Sequence, residues 1–299
     1  MTPEVAVSQE QFARVGELEL CWQQFGEDDD PPLLMIMGLG AQMILWPDEL
    51  CSLIASKGYR VIRFDNRDAG RSTILHDSPS ASIPQALRGE IPPGAYLLFD
   101  MAGDAAGLLD ALEIGSAHVV GASLGGMIGQ TLAIEHPKRV LSLASIMSTT
   151  GDPEVGKPTP AGLQGLTTVP PRDRTGYVEA LIGARRLIGS PGFPFDEERS
   201  RQIAGLGWDR GHNPKGTVRQ TLAIIASGDR TQRLAEIAVP TVVIHGSDDP
   251  LIDVSGGRAT AAAIPGAKLV VIQGMGHDFP AGVWAQVAGE VVENARRAG

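Results

Sequence analysis

One stretch, His118-Val-Val-Gly-Ala-Ser-Leu-Gly-Gly-Met127, narrows the choice of fold more than any other in this chain. Two β-branched residues run into a cluster of small residues around Ser123, and Met127, Ile128, Leu132 and Ile134 continue at helix-like spacing. The order is strand, tight turn, helix. Gly121 and Gly125 stand two residues before and two after the serine, as a sharp corner requires where strand and helix backbones crowd each other. A serine on such a corner projects from the sheet edge above a helix N-terminus, whose unbonded N–H groups can receive developing negative charge. Ser123 is therefore a candidate nucleophile. The competing reading is a plain strand-to-helix turn in a glycine-rich chain.

The rest of the sequence supplies a sheet for that corner. Phe12–Val15 and Leu18–Phe25 alternate around Gly16-Glu17 as a hairpin does. Pro32–Met37, Tyr59–Phe64, Val140–Met147, Pro240–His245 and Lys268–Gln273 are apolar runs of the kind buried on both faces. Helical spacing separates them, around Leu45–Ile54, from Leu97 to Leu112, in a segment ending near Ile264-Pro265, and from about Pro280 to Arg297. Between them, Asp77–Pro93 is polar and proline-bearing, and reads as a surface excursion. Alternating strands and helices predict an α/β fold: a mostly parallel, eight-stranded sheet with helices on both faces. The alternation stops near Thr150 and resumes near Ala235, so residues 1–150 and 236–299 are read as the core and 151–235 as an inserted, mainly helical lid.

Composition excludes several classes. The 299 residues are 43% hydrophobic and 20% charged with a formal charge of −10, as in an ordinary acidic globular protein and unlike a nucleic-acid-binding one. No apolar run approaches a membrane span, and Met1–Glu10 has neither a basic n-region nor an apolar h-region, so a cytoplasmic location without membrane contact is expected. Cys21 and Cys51 lack metal-ligand spacing and read as buried thiols. No cofactor or metal is expected, and nothing in the sequence fixes an oligomeric state.

In a parallel sheet the segments that follow the strands share one rim, where ligands bind. That rim gathers Gly38-Leu39-Gly40, Asp65-Asn66, Ser123, Asp152, Asp248-Asp249 and His277. A serine hydroxyl needs a base to take its proton, and the base needs a carboxylate to fix its tautomer. His277, between glycines in Gly274-Met-Gly-His-Asp278, can be the base, although alone it reads equally as a solvated loop histidine. Asp248, Asp249 and, after an earlier strand, Asp152 compete for the acid. An oxyanion hole would take the backbone N–H of Leu124, after the nucleophile, and that of Leu39, after the third strand.

These motifs resemble the α/β-hydrolase family over almost the whole length: Met37-Gly38-Leu39, Trp46-Pro-Asp-Glu-Leu50, Arg63-Phe-Asp-Asn-Arg-Asp-Ala-Gly-Arg-Ser-Thr73, Gly121-Ala-Ser-Leu-Gly-Gly126, Asp249-Pro250 and Gly274-Met-Gly-His277. Serine, acid and histidine also come in the chain order of that family. The branch of serine carboxylesterases containing aclacinomycin methylesterase is the most similar. There the acid is the aspartate immediately before proline, which implies Asp249, and the histidine closes Gly-Met-Gly-His, which implies His277. Met37-Gly38 stands where many relatives carry His-Gly, as in that branch. The loop from Asp65 to Ser72 matches a family segment that implies a bracing role.

The resemblance implies hydrolysis of a small-molecule carboxylic ester through an acyl-enzyme. Carboxylate-dependent epoxide hydrolysis and dehalogenation do not fit a serine at position 123; a cofactor-free perhydrolase or a carbon–carbon bond hydrolase would use the same three residues. A hydrolase-like binding protein without turnover would typically have lost one of them. The lid offers Leu163, Leu166, Val169, Tyr177, Leu181, Leu187, Phe193, Phe195 and Trp208 either as a pocket roof or as its own small core, with Arg185, Arg186, Arg199, Arg201 and Arg210 on solvated faces. Trp208 and Met127 are candidates for substrate contact. An apolar roof favours a hydrophobic, uncharged acyl or alcohol group.

Overall fold

A computed structural model describes residues 5–167 and 171–299, so Val169 lies outside the described residues. The elements follow in the order β1 (Gln11–Val15), β2 (Leu18–Phe25), β3 (Pro32–Ile36), α1 (Asp48–Ala55), β4 (Arg60–Phe64), α2 (Ile83–Leu87), α3 (Leu98–Ala111), β5 (Ala117–Ala122), α4 (Leu124–Glu135) and β6 (Val140–Ile146). Then come α5 (Pro160–Thr167), α6 (Arg174–Ile188), α7 (Glu197–Arg210), α8 (Pro214–Ser227), β7 (Thr241–Gly246), α9 (Val254–Ala263), β8 (Lys268–Ile272) and α10 (Trp284–Arg296). The strands form one eight-stranded sheet in the order β1-β2-β4-β3-β5-β6-β7-β8. β2 runs antiparallel to β1 and β4, and the remaining pairs are parallel.

Strand periodicity sends alternate residues to opposite faces. Leu34, Ile36, Val119 and Leu143 pack against α3 and α4, whereas Leu33, Met35, Val120 and Ala144 pack against α1 and α10. Both faces are therefore apolar, and each leucine or isoleucine so buried contributes about 2 kcal/mol. The topology also places the site. β4 and β5 flank β3 on opposite sides, so the order reverses at β3, and the turns leaving β3 and β5 emerge side by side.

The long excursion after β4 carries α2, which the sequence reading treats as loop. A capping box between Ser82 and Gln85 starts this short helix. Helices α5 to α8 lie between β6 and β7 in the chain. The sequence pattern brings out α6 and α8 but not α7, whose first turns are polar and are held instead by Asp196, which accepts the Arg199 N–H, and by Arg201 paired with Glu179 and Glu197.

Arg210 corrects the expectation of solvated lid arginines. It is 5% exposed at the end of α7 and pairs with Asp65 at 2.8 Å and Glu10 at 2.7 Å, because the helix terminus tucks against the loop after β4. Arg185 is half-buried, and desolvation pushes its guanidinium pKa down. Arg186, Arg199 and Arg201 pair near the surface with Glu197, Glu49 and Glu179. No helix among the described residues is long and apolar enough to cross a membrane.

Candidate active site

Ser123 sits between β5 and α4 with φ +56° and ψ −119°, a left-handed conformation that is unfavourable for a side chain with a Cβ. The surroundings fix it there. Its N–H donates to the Ile146 carbonyl at 2.9 Å, and its own carbonyl accepts the Gly126 N–H at 2.9 Å and the Ser148 hydroxyl at 2.8 Å. The crowding read from the glycines is literal: a Cβ on Gly121 would lie 2.1 Å from the Gly125 carbonyl oxygen, and one on Gly125 would lie 1.9 Å from that of Ile36.

The turn after β3 lies against this elbow, so close that a Cβ on Gly38 would be 3.2 Å from the Ser123 Cβ. In that turn the Ala41 N–H bonds the Gly38 carbonyl at 3.2 Å and the Gly40 N–H bonds the Gln220 side chain at 2.7 Å. The Leu39 N–H takes no partner among the described residues. Leu124 opens α4, so its N–H is one of the first-turn donors that no helix carbonyl can reach. Two unpaired donors thus flank the serine.

His277 follows β8, and its backbone N–H donates to the Ile188 carbonyl at the end of α6 at 2.7 Å. Its Nδ1 lies 2.7 Å from Oδ2 of Asp249. Asp249 is 5% exposed, and its other oxygen accepts the Leu251 and Ile252 N–H groups, each at 2.9 Å. Burial pushes the Asp249 pKa up, but the charge of His277, the hydrogen bonds of His245 and His277 and the Ile252 amide outweigh it, so the carboxyl stays well below the usual range. An ionised Asp249 requires the proton on Nδ1, leaving the His277 Nε2 lone pair able to accept another.

The other acids lie elsewhere. Asp248 is exposed and accepts the Ser247 hydroxyl at 2.5 Å and the Gly274 N–H at 3.1 Å. Asp152 caps its own turn through the Glu154 N–H at 2.8 Å. Of the candidates for substrate contact, Met127 is 5% exposed and packed into the core beneath α4, and Trp208 packs against Tyr177, with ring centroids 5.3 Å apart. Tyr177, Leu181 and Phe195 join that same cluster.

The sequence reading passes over His245, a polar residue near the end of apolar β7. It is fully buried, its Nε2–H donates to the Ile252 carbonyl at 2.8 Å, and the same nitrogen lies 3.5 Å from Asp249. It therefore adds a second imidazole beneath the carboxylate. A lone histidine inside an apolar strand, four residues before an aspartate, is the signal that could have drawn attention to it.

The family profile of the alpha/beta hydrolase fold matches residues 31–280. The chain belongs to the α/β-hydrolase family. Among curated relatives, rhodomycin D methylesterase DauP of Streptomyces sp. strain C5 is 31% identical over 94% of this chain and 96% of its own length. Rhodomycin D methylesterase DnrP of Streptomyces peucetius is 28% identical over the same shares. Among solved structures, the enol-lactonase from Burkholderia xenovorans LB400 superposes with a TM-score of 0.68 at 26% identity, covering 96% of this chain and 100% of that one. As an α/β hydrolase, the chain has its serine elbow, its histidine and its buried aspartate after β5, β8 and β7, on the rim where the fold places ligands.

Proposed function

We propose that the protein is a serine hydrolase that cleaves a carboxylic ester of a fairly hydrophobic small molecule, with Ser123 as nucleophile, His277 as base and Asp249 as its orienting acid. The observation that carries this reading is the 2.7 Å contact between His277 Nδ1 and a buried, ionised Asp249 on the rim that also holds the strained Ser123 elbow. The names of its relatives support the bond type: two are methylesterases, and the enol-lactonase also acts on an ester linkage.

In this mechanism Ser123 Oγ attacks the ester carbonyl while its proton passes to His277 Nε2. The Leu39 and Leu124 N–H groups receive the oxyanion. Collapse of the tetrahedral adduct expels the alcohol, which takes the proton from His277 and leaves Ser123 acylated. Water then repeats the sequence against the acyl-enzyme, giving the acid and restoring the hydroxyl. Asp249 stays ionised throughout and stabilises the imidazolium. Residues 151–235 act as the lid over this site and residues 1–150 and 236–299 as the hydrolase core, working in the cytoplasm, where the buried unpaired thiols of Cys21 and Cys51 are at home.

A chain-length series of p-nitrophenyl esters tests the reading. Ser123→Ala is expected to lower kcat by about a millionfold, since residues acting as a unit fail together. Turnover by Ser123→Ala at the wild-type rate would reject the serine mechanism, and a preference for short charged esters would reject the apolar substrate class.

A further inference from the structure

The turn after β3 is gripped from the insertion. Gln220, in the middle of α8, is fully buried; its Oε1 accepts the Gly40 N–H at 2.7 Å and its Nε2 donates to the Arg67 carbonyl at 2.8 Å. A backbone N–H only donates and a carbonyl only accepts, so both bonds exist in one orientation of the amide alone. Thr217, three residues earlier on the same helix face, fills the space beside Gly40: a Cβ there would lie 2.5 Å from the Thr217 hydroxyl. Gly40 itself has φ +62°, a conformation the turn needs and glycine permits. The far end of the same turn is tied to α7, where Gln42 Nε2 donates to the carbonyls of Gly207 and Gly211 at 2.7 and 2.8 Å. The two N–H groups that follow Leu39, those of Gly40 and Ala41, are thus engaged, while the Leu39 N–H takes no partner among the described residues in a turn that lies against the serine elbow.

We propose that Gln220 is a positioning residue for the oxyanion hole: through Gly40 its carboxamide fixes the direction of the Leu39 N–H, which makes the inserted helix α8 a working part of the hydrolytic site. This rests on the serine-esterase reading above. An oxyanion donor contributes only where it already points at the developing charge, and removing one outright costs about a hundredfold to a thousandfold in kcat. Releasing Gly40 displaces the donor without deleting it, so the expected loss is about tenfold to a hundredfold in kcat with KM changed less than about threefold.

The experiment compares wild type, Gln220→Met and Gln220→Glu with p-nitrophenyl butyrate, each rate normalised to active sites titrated with a fluorophosphonate. It also measures inhibition by a phenylboronic acid, whose serine adduct is tetrahedral. Gln220→Met is expected to lose kcat in the stated range and to weaken boronate binding by the same factor. Gln220→Glu, assayed where its buried carboxyl is protonated and so keeps an acceptor toward Gly40 and a donor toward the Arg67 carbonyl, is expected to lose less than about fivefold. A wild-type kcat per titrated site in Gln220→Met overturns the proposal, as does a Gln220→Glu variant impaired as deeply as Gln220→Met. An inactive Ser123→Ala beside an unimpaired Gln220→Met rejects the role of Gln220 alone; an active Ser123→Ala rejects the serine reading itself.

Discussion

Two adjacent carboxylates, Asp248 and Asp249, differ in everything except sequence position. The turn after β7 directs Asp249 inward onto His277 and two backbone amides, and Asp248 outward onto Ser247 and Gly274. Asp249→Asn removes the charge that fixes the His277 tautomer and is expected to lower kcat by about ten-thousandfold, whereas Asp248→Asn should stay within about threefold of wild type; ester-hydrolysis kinetics of the two variants decide the assignment. The depressed pKa of Asp249 has a signed consequence for stability. A carboxyl whose folded pKa lies below its unfolded value of about 4 stabilises the fold above that value and loses the contribution as pH falls toward the folded one. The gap in denaturation midpoint between wild type and Asp249→Asn should therefore be widest near neutrality and shrink below about pH 4, and a gap that widened on acidification would contradict the shift. Sequence could gather both aspartates to one rim, but only the family pattern separated them, because inward and outward are decided by a turn whose hydrogen bonds to Leu251 and Ile252 leave no trace in composition.

Elements were the most legible level, since a strand buried on both faces announces itself as an unbroken apolar run, and β3, β5, β6 and β7 lie within a residue or two of where hydrophobic patterning put them. Polar elements were not: α7 depends on Arg201, Glu179 and Glu197, and α2 on a capping box, so neither shows an apolar stripe of useful length. The serine elbow has its own element-scale test. Gly121→Ala would drive a methyl group to 2.1 Å from the Gly125 carbonyl oxygen, forcing β5 from α4, and should cost about 3 kcal/mol or more with loss of activity. Gly115, with no atom within 4 Å of an added Cβ, is the matched control, and Gly115→Ala should unfold like wild type. The same reasoning predicts gains in helices. Gly183 in α6 and Gly289 in α10 have open space around the missing Cβ, so each change to alanine should add about 0.5 to 1 kcal/mol in denaturant titrations.

Over the whole molecule, the helices between β6 and β7 are tied to the loop after β4 by buried charge. Arg210 at the end of α7 pairs with Asp65, and Arg219 on α8 pairs with Asp68 through two bonds of 2.5 and 2.8 Å, all four side chains being almost fully buried. Both aspartates belong to the loop after β4, which the family resemblance marked as bracing. Sequence gave no means of joining them to arginines some 145 and 151 residues away, nor of finding Gln220, because a buried polar pair has no periodicity. Asp68 also accepts the Tyr96 hydroxyl at 2.9 Å and the Leu75 N–H at 2.9 Å; burial pushes its carboxyl up, yet Arg219 and these donors hold it below its ordinary value. Removing only the cation leaves that carboxylate buried and underpaired, which costs far more than the intact pair contributes. Arg219→Met should therefore destabilise the protein by about 3 to 5 kcal/mol and speed proteolytic cleavage within residues 151–230. Adding Asp68→Asn neutralises the stranded charge, and asparagine tolerates the φ of +68° at this position, so the double variant should regain more than half of the lost stability. Denaturant titrations across the four-member cycle measure the coupling, and a single-variant loss below about 1 kcal/mol would mean that the pair does not anchor these helices.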